Sequence, residues 1–193
     1  GHLTPIMSVA ESFRSLHPST KIIYVGQKGD SLGDIMKDSQ LFDEVYTVHA
    51  GKFRRYHGEG LKQLLDVKTM YKNTRDIFFV LMGLAESWKL FGKMKPKVIF
   101  SRGGFVSVPV CFGGALRGIP CITHDSDAIP SLANRIIAKR AKIHAVALPK
   151  EIYPYPQPKT VTVGVPIQKQ FKRVTKEMKQ KAREALGVSS HAK

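Results

Sequence analysis

The sequence has few cysteines, and this excludes the structural classes that depend on them. Cys111 and Cys121 are the only two among 193 residues, and both lie within apolar runs. Two thiols can form neither a disulfide framework nor the four-ligand site of a structural zinc. The chain is therefore expected to fold around an apolar core in a reducing cytoplasm.

Long apolar runs are also missing. A membrane-spanning helix needs about 20 consecutive, mostly apolar residues, and no run in this sequence approaches that length. The first residues likewise lack the pattern of a secretory signal peptide. These observations favour a globular chain with one substantial core rather than an integral membrane protein.

Acidic residues are scarce relative to basic ones. Lys and Arg number 31 while Asp and Glu number 15, which gives a formal net charge of +16. Such an excess indicates an anionic partner, and a nucleic acid, an acidic lipid surface or a phosphorylated substrate would each satisfy it. A basic nucleic-acid-binding module is the alternative from another functional class. It is disfavoured, and no nucleic acid is expected, because the cations do not alternate with stacking aromatics on predicted strands.

The segment from 97 to 134 shows the clearest pattern. One β-branched apolar run, residues 98–100, stops at Gly103-Gly104, and a second, residues 121–123, stops at His124-Asp125. Each run is followed by a turn and a helical stretch, so the segment predicts a βαβα unit in an α/β fold. Loops at the carboxyl ends of parallel strands share one crevice. We therefore expect the glycine loop (residues 101–105) and the acidic loop (residues 124–127) to lie side by side at a site for phosphate or sugar-phosphate.

The other elements follow from the same rules of periodicity. Thr4-Pro5 has the pattern of a helix start, and apolar residues then recur at helical spacing to Leu16. No strand precedes this helix, and we expect the sequence to be truncated at its front. The proline-rich stretch 149–158 is expected to be a loop, and a helical break is expected near Asn73-Thr74. Predicted strands lie at 21–25, 44–48, 143–147 and 160–163, and further predicted helices at about 31–37, 61–94 and 174–186.

Several segments resemble motifs of the MurG family. The similar segments are Gly1-His2-Leu3-Thr4-Pro5, Ser101-Arg102-Gly103-Gly104-Phe105-Val106-Ser107-Val108-Pro109, Gly118-Ile119-Pro120, His124-Asp125-Ser126-Asp127-Ala128-Ile129-Pro130-Ser131-Leu132-Ala133-Asn134 and Gly164-Val165-Pro166-Ile167. They occur in family order, at family-like spacing, over nearly the whole chain. The resemblance implies the N-terminal half of a GT-B glycosyltransferase with a Rossmann-like parallel sheet, truncated at both ends. It would comprise an acceptor and membrane-binding domain at 1–163 and a linker at 164–193 leading to an absent donor-binding domain.

The resemblance also implies a reaction. Such enzymes transfer N-acetylglucosamine from UDP-N-acetylglucosamine, with inversion, to the C4 hydroxyl of the undecaprenyl-diphosphate-linked acceptor lipid I, which gives lipid II for peptidoglycan. The implied role is in cell-wall growth, shape and division at the cytoplasmic face of the membrane, as a peripheral enzyme without cofactor or metal. These 193 residues alone are expected to be inactive. Alternatives within the fold are a subunit or relative acting on another lipid-linked sugar, and a nucleotide-sugar epimerase.

The implied site residues come from the matching motifs. His2 and Asp127 are the candidate bases, since the acceptor hydroxyl must lose a proton. Three departures affect the assignment: His-Glu-Gln-Asn becomes His124-Asp125-Ser126-Asp127, a phosphate-pairing arginine becomes Gln168, and a tyrosine becomes Phe105. The predicted substrate-binding residues are Gly1, Gly103, Gly104, Phe105, His124, Asp125, Ser126, Asn134 and Gln168.

A predicted helix before the central unit suits a membrane surface. Residues 77–82 are apolar on every side of a helix, and the segment from 52 to 97 holds 11 basic and four acidic residues. Apolar and aromatic side chains flanked by cations are typical of helices that bind anionic membranes. An ordinary core helix with a basic solvated face is the alternative. The predicted membrane contacts are Phe78, Phe79, Trp88, Phe91, Arg75 and Lys89. The basic stretch 51–56 is either a solvated loop or a phosphate or headgroup contact.

Overall fold

Helices and strands alternate along the chain. The computed structural model describes residues 3–52, 67–168, 171 and 174–188. In chain order the elements are α1 Leu3–Leu16, β1 Ile23–Gln27, α2 Leu32–Asp38, β2 Glu44–Val48, α3 Val67–Met94, β3 Ile99–Ser101, α4 Ser107–Ala115, β4 Cys121–Asp125, α5 Leu132–Ile137, β5 Ile143–Val146, β6 Thr160–Thr162 and α6 Lys176–Ala185. The order confirms the predicted α/β class.

All strand pairs in the described part of the chain are parallel. β1 pairs with β2, and β3, β4, β5 and β6 form a second sheet in that order. Ser101 at the end of β3 is in register with Thr123 of β4. Because the two strands run in the same direction, the loops that follow them leave the sheet at the same edge. The predicted proximity of the glycine loop and the acidic loop is confirmed.

The main core lies between the sheet and the helices α3, α4 and α5. Its buried members are Val48, Phe91, Ile99, Val110, Cys111, Cys121 and Ile137. The Sγ atoms of the two cysteines lie 3.0 Å apart as free thiols. A Cβ at Gly113 of α4 would come within 2.6 Å of the Ser87 side chain of α3. The absence of a side chain there lets α4 pack closely on α3.

Helix α3 differs from the prediction in being continuous. It spans 28 residues and passes through Asn73 and Thr74, where a break was expected. Asn and Thr lower helix stability by only about 0.7 kcal/mol each relative to Ala, and tertiary packing outweighs that cost. Along this helix Asp76 and Ser87 are buried. No described helix combines the length and apolar character that crossing a bilayer requires.

The proline-rich segment after β5 is more ordered than an irregular loop. Two short 3-10 helices, Lys150–Ile152 and Gln157–Lys159, form within it. Between them Tyr153 and Tyr155 are 3% and 6% exposed and pack with Val146 in a second small cluster. Burial of two aromatic rings fixes the segment against the sheet, which the proline spacing by itself did not indicate.

Candidate functional site

The glycine loop turns sharply at the end of β3. Gly103 and Gly104 have φ values of 83° and 90°, a left-handed conformation that is costly for residues with a side chain. The hydroxyl of Ser101 accepts a hydrogen bond from the Gly103 amide (3.1 Å), and the Ser107 hydroxyl donates one to the Gly103 carbonyl (2.7 Å). These bonds tie the loop to the first turn of α4.

The glycine loop also packs directly on the start of α5. A Cβ at Gly103 would lie 2.8 Å from Oγ of Ser131 and 3.1 Å from Oδ1 of Asn134. Ser131 is the N-cap of α5, and its hydroxyl accepts a hydrogen bond from the Asn134 amide. Gly103 is therefore required for two reasons, its left-handed backbone conformation and its close contact with the start of α5. At Gly104 the backbone conformation is the reason.

Asp125 in the acidic loop is held inside the protein. Its Oδ1 accepts a hydrogen bond from Nδ2 of Asn134 and its Oδ2 accepts one from the Tyr155 hydroxyl, both at 2.8 Å. Asp125 and Asn134 are 5% and 0% exposed. Burial and the neighbouring carboxylate raise the pKa of the Tyr155 hydroxyl, which keeps it a proton donor. Both carboxylate oxygens of Asp125, a predicted substrate-binding residue, therefore have partners inside the protein.

A bridge of three residues links the two loops to the segment after β6. Nη1 of Arg102 donates to Nδ1 of His124 (2.7 Å) and to the Ser126 hydroxyl (2.6 Å). On the other side of the ring, Nε2 of His124 donates to the Gly164 carbonyl (2.9 Å). Burial, with the nearby Arg102 charge, lowers the pKa of His124, so the ring is neutral with its proton on Nε2. His124, which is 1% exposed, connects loops rather than presenting a free nitrogen to a ligand.

A second buried histidine lies behind the acidic loop. The ring of His144 stacks on that of Tyr155, with centroids 4.1 Å apart, and its Nδ1 lies 2.8 Å from the Thr123 hydroxyl. Burial lowers the pKa of His144. The His144 ring thus packs against the tyrosine that donates a hydrogen bond to Asp125.

A cavity of about 200 Å³ opens next to the glycine loop. Its walls are mainly apolar and come from the segment after β2, from α3, from the glycine loop, from α4 and from α5 with its N-cap. The lining residues are Gly51, Lys52, Val80, Gly104, Phe105, Val108, Ser131, Leu132, Ala133 and Ile136. The predicted binding residues Gly104 and Phe105 therefore face a concave surface with a cation on its lining.

The remaining predicted residues have different positions. Asp127 is exposed, whereas Ser126 and Gln168 are half-buried. Gly1 and His2 lie outside the described residues, as do residues 53–56 of the basic stretch. Arg102 was not among the predicted site residues. The position of Arg102 in the sequence, directly after a predicted strand and before the double glycine, could have indicated it as a site residue. No group of three or more His, Cys, Asp or Glu residues that could hold a metal occurs within the described ranges.

The surface of α3 is partly as predicted. Phe78 and Trp88 are 60% and 43% exposed, and Tyr71, Ile77 and Leu81 are exposed as well. Arg117 stacks over the Trp88 ring at 3.8 Å. Phe91 is a correction: it is 3% exposed and belongs to the core, because it is on the side of α3 that packs on α4 and β3.

Two predicted contacts lie at the margin of that surface. Phe79 is half-buried. Its ring stacks on His49, with centroids 5.7 Å apart, and the Arg75 guanidinium lies 5.5 Å from its centroid. Lys89 is exposed. We define the α3 patch as the exposed residues Tyr71, Ile77, Phe78, Leu81 and Trp88.

Comparison with known proteins agrees with this geometry. Residues 1–146 match the glycosyltransferase family 28 N-terminal domain. The chain is 33% identical over 171 residues to a UDP-N-acetylglucosamine--N-acetylmuramyl-(pentapeptide) pyrophosphoryl-undecaprenol N-acetylglucosamine transferase of Lachnospira eligens, covering 89% of this chain and 44% of that protein. It is 32% identical over 189 residues to transferase 3 of the same name from Bacillus thuringiensis, covering 98% and 48%.

A solved structure shares the fold. The crystal structure of Acinetobacter baumannii MurG superposes with a TM-score of 0.62 at 16% sequence identity, over 92% of this chain and 44% of that one. The predicted GT-B-type Rossmann-like fold is confirmed. The chain spans a little under half the length of the curated relatives named here.

Proposed function

Because the chain belongs to glycosyltransferase family 28, as an N-terminal domain of the MurG type, we propose that it forms the acceptor side of an N-acetylglucosaminyltransferase of peptidoglycan synthesis. The donor would be UDP-N-acetylglucosamine and the acceptor lipid I, the undecaprenyl-diphosphate-linked N-acetylmuramoyl sugar. The acceptor C4 hydroxyl would attack the anomeric carbon of the donor with inversion, and UDP would leave. Residues 1–163 would form the acceptor and membrane domain and residues 164–193 the connection to the donor-binding domain.

The observation that carries this proposal is the pair of fixed loops at the carboxyl ends of β3 and β4. Nη1 of Arg102 bonds both His124 and Ser126 across the two loops, and Asn134 bonds Asp125 and supports Gly103. Loops that are held in fixed positions can hold a substrate in the geometry of reaction. Such positioning lowers the reaction barrier without any chemical step by the side chains themselves. Gly104 and Phe105 line the adjoining cavity, where an acceptor would lie against the glycine loop.

Two residues are proposed as the general base. Asp127 is the exposed carboxylate of the acidic loop, and its neighbour Asp125 is unavailable because Tyr155 and Asn134 bind both of its oxygens. His2 is the second candidate, because it lies in a segment that resembles a motif of the family. A general base contributes about 10²- to 10⁴-fold to the rate, so the two candidates can be separated by substitution.

We further propose that the protein is peripheral at the cytoplasmic face of the membrane and binds it through the α3 patch. The patch joins exposed apolar side chains on one helix to the surrounding cations Lys72, Arg75, Lys89 and Lys93, all of which are exposed. Apolar insertion and headgroup attraction would act together there. This arrangement would bring the crevice to a lipid-linked acceptor.

A chimera tests the proposed reaction. The part of the Bacillus thuringiensis relative that matches this chain is exchanged for residues 1–193, and transfer of labelled N-acetylglucosamine to a lipid-linked N-acetylmuramoyl acceptor is measured. Transfer above that of a chimera without this segment supports the proposal. Donor binding, measured separately with UDP-N-acetylglucosamine, controls for folding. A chimera that binds donor and transfers nothing contradicts the proposal.

The same chimera identifies the base. Asp127→Asn and His2→Gln should each be compared with the parent chimera, and the base should lower kcat by about 10²-fold or more. Asp125→Asn is the matched acidic control. Because Asp125 has only internal partners, its substitution should affect stability rather than the pH dependence of kcat.

A further inference from the structure

Arg102 is a cation whose position is fixed on one edge. Nη1 makes both of its hydrogen bonds, to His124 and Ser126. Within the described ranges, Nε and Nη2 have no hydrogen-bond partner, and Nε is fully buried. The guanidinium is therefore held in place while the donors on its other edge remain unused.

Neither of the bound partners of Arg102 is charged. His124 accepts at Nδ1 and donates at Nε2 to Gly164, which is the hydrogen-bonding pattern of the neutral ring. Ser126 offers a hydroxyl. No carboxylate of the described part of the chain lies within ion-pair distance of Arg102. Asp125 is bound elsewhere, and Asp127 acts on Arg102 only through longer-range attraction.

A half-buried cation without a counter-ion is costly to the fold. Burial lowers the pKa of Arg102, while the two aspartates of the acidic loop act against that change. An unpaired charge removed from water is usually offset by a partner of opposite sign. Because Nη1 is used and Nε is enclosed by the protein, Nη2 is the donor left for a ligand, and phosphate oxygens are strong acceptors for a charged donor of this kind. Arg102 itself bridges the glycine loop and the acidic loop, and both substrates of the proposed function contain a diphosphate.

We propose that Arg102 is the diphosphate-binding side chain of this crevice, and that His124 and Ser126 are positioning residues that aim it. The proposal rests on the proposed function, since that function supplies the two diphosphates. The shared chemistry is a diphosphate, from either the sugar-nucleotide donor or the prenyl acceptor.

Binding of inorganic pyrophosphate to the unaltered 193-residue chain tests the proposal without any transfer step. Arg102→Met should weaken pyrophosphate binding about 10- to 100-fold, because hydrogen bonds to charged groups contribute about that much. It should also reduce the salt dependence of the binding affinity by the amount that about one charge contributes. Arg140→Met is the matched control, because Arg140 is an exposed arginine in the turn after α5, and it should change the affinity less than twofold. Equal loss in both variants, or no loss in either, overturns the proposal.

Variants that keep a positive charge at position 102 test whether the orientation of Arg102 matters for binding. Ser126→Ala leaves the His124 bond in place and should weaken pyrophosphate binding severalfold, while its salt dependence stays that of the unaltered chain. Arg102→Lys should keep the salt dependence as well, but a single ammonium cannot bond His124, Ser126 and the ligand in the same arrangement, so binding should weaken. If Ser126→Ala binds pyrophosphate as tightly as the unaltered chain, the positioning role is refuted. In the unaltered chain, pyrophosphate should also shift the Arg102 guanidinium resonances, and unshifted resonances at saturation would refute the contact even if Arg102→Met fails to fold.

Two further ligands identify the source of the diphosphate. If the donor is the source, Arg102→Met should weaken UDP binding more than geranyl diphosphate binding, and the reverse result identifies the lipid-linked acceptor. Loss of pyrophosphate binding with an inactive chimera would leave the diphosphate site standing and refute the transferase. An active chimera whose Arg102→Met variant binds pyrophosphate normally would refute only the role of Arg102.

Discussion

The hydroxyl of Tyr155 lies 2.8 Å from Oδ2 of Asp125 and donates a hydrogen bond to it, across 30 residues of sequence. This bond, with that of Asn134, gives each carboxylate oxygen of Asp125 a partner inside the protein. It leaves Asp127 as the exposed carboxylate of the acidic loop. Two aspartates separated by one residue thus have different environments, because one of them contacts a tyrosine from beyond β5.

Removing that hydroxyl should destabilise the fold. In Tyr155→Phe, Oδ2 of Asp125 stays buried without its donor, and the cost should be about 1–3 kcal/mol in the free energy of unfolding, measured by urea titration. Tyr153→Phe is the matched control. Its hydroxyl accepts only a long bond of 3.4 Å from the Leu148 amide, so the loss should be about 0.5 kcal/mol. Equal losses in the two variants would contradict the assigned role of Asp125.

The two glycines of the glycine loop should differ when replaced. Gly103→Ala and Gly104→Ala each force a residue with a Cβ into the left-handed region, at about 1–2 kcal/mol. At Gly104 the added methyl meets nothing within 4 Å, whereas at Gly103 it meets Ser131 and Asn134. Gly103→Ala should therefore be the more destabilising by about 1–3 kcal/mol, as measured by thermal or urea unfolding. A larger effect at Gly104 would mean that the loop packs differently on α5.

Stability should fall as the pH drops below about 6.5, the ordinary pKa of histidine. The pKa values of His124 and His144 are lowered in the folded state, chiefly by burial. The unfolded chain then binds more protons than the folded one over this window, so the free energy of unfolding decreases with falling pH until the folded pKa is passed. The charged groups that act on these rings are Arg102 and Lys159, which disfavour protonation, and Asp125, which favours it.

Urea titrations from pH 7.5 to pH 5 check this dependence. His144→Gln removes one of the two titrating groups and should flatten the curve in that window. A slope that is the same in His144→Gln and in the unaltered chain would show that the His144 ring is not responsible.

Membrane binding should depend on Phe78 and not on Phe91. Phe78→Ser removes an exposed ring, so it should reduce the salt-resistant binding to anionic vesicles while changing stability by less than about 0.5 kcal/mol. Phe91→Ala should instead destabilise the fold by about 3–5 kcal/mol, since it empties a buried site. Vesicle sedimentation and urea unfolding measure the two effects.

The cations beside the α3 patch should control the salt-sensitive part of membrane binding. Lys89→Gln should lower the affinity for anionic vesicles by about 1 kcal/mol at low salt, and added salt should remove the difference. Neutral vesicles serve as the control and should not distinguish Lys89→Gln from the unaltered chain. If Phe78→Ser binds vesicles normally at high salt, α3 is not the membrane surface.

The sequence by itself determined the order of elements and, to within two residues, the places where the strands end. Residues 44–48 were predicted as a strand with the bounds that the structure has, because short β-branched runs between turn residues have few other solutions. The parallel arrangement and the meeting of the glycine and acidic loops followed from the alternation of strands and helices. The excess of cations and the exposure of apolar residues on α3 were likewise visible in the composition of one segment.

Only the tertiary structure decided which side chains within those segments are available. Helical periodicity places Phe78 and Phe91 on α3 but does not reveal that α4 and β3 cover the second one. The spacing of Asp125 and Asp127 gives no sign that Tyr155 reaches one of them, because contacts between residues distant in sequence depend on packing rather than on local propensity. Arg102 acquired its position in the same way, from His124 and Ser126 on a neighbouring strand's loop.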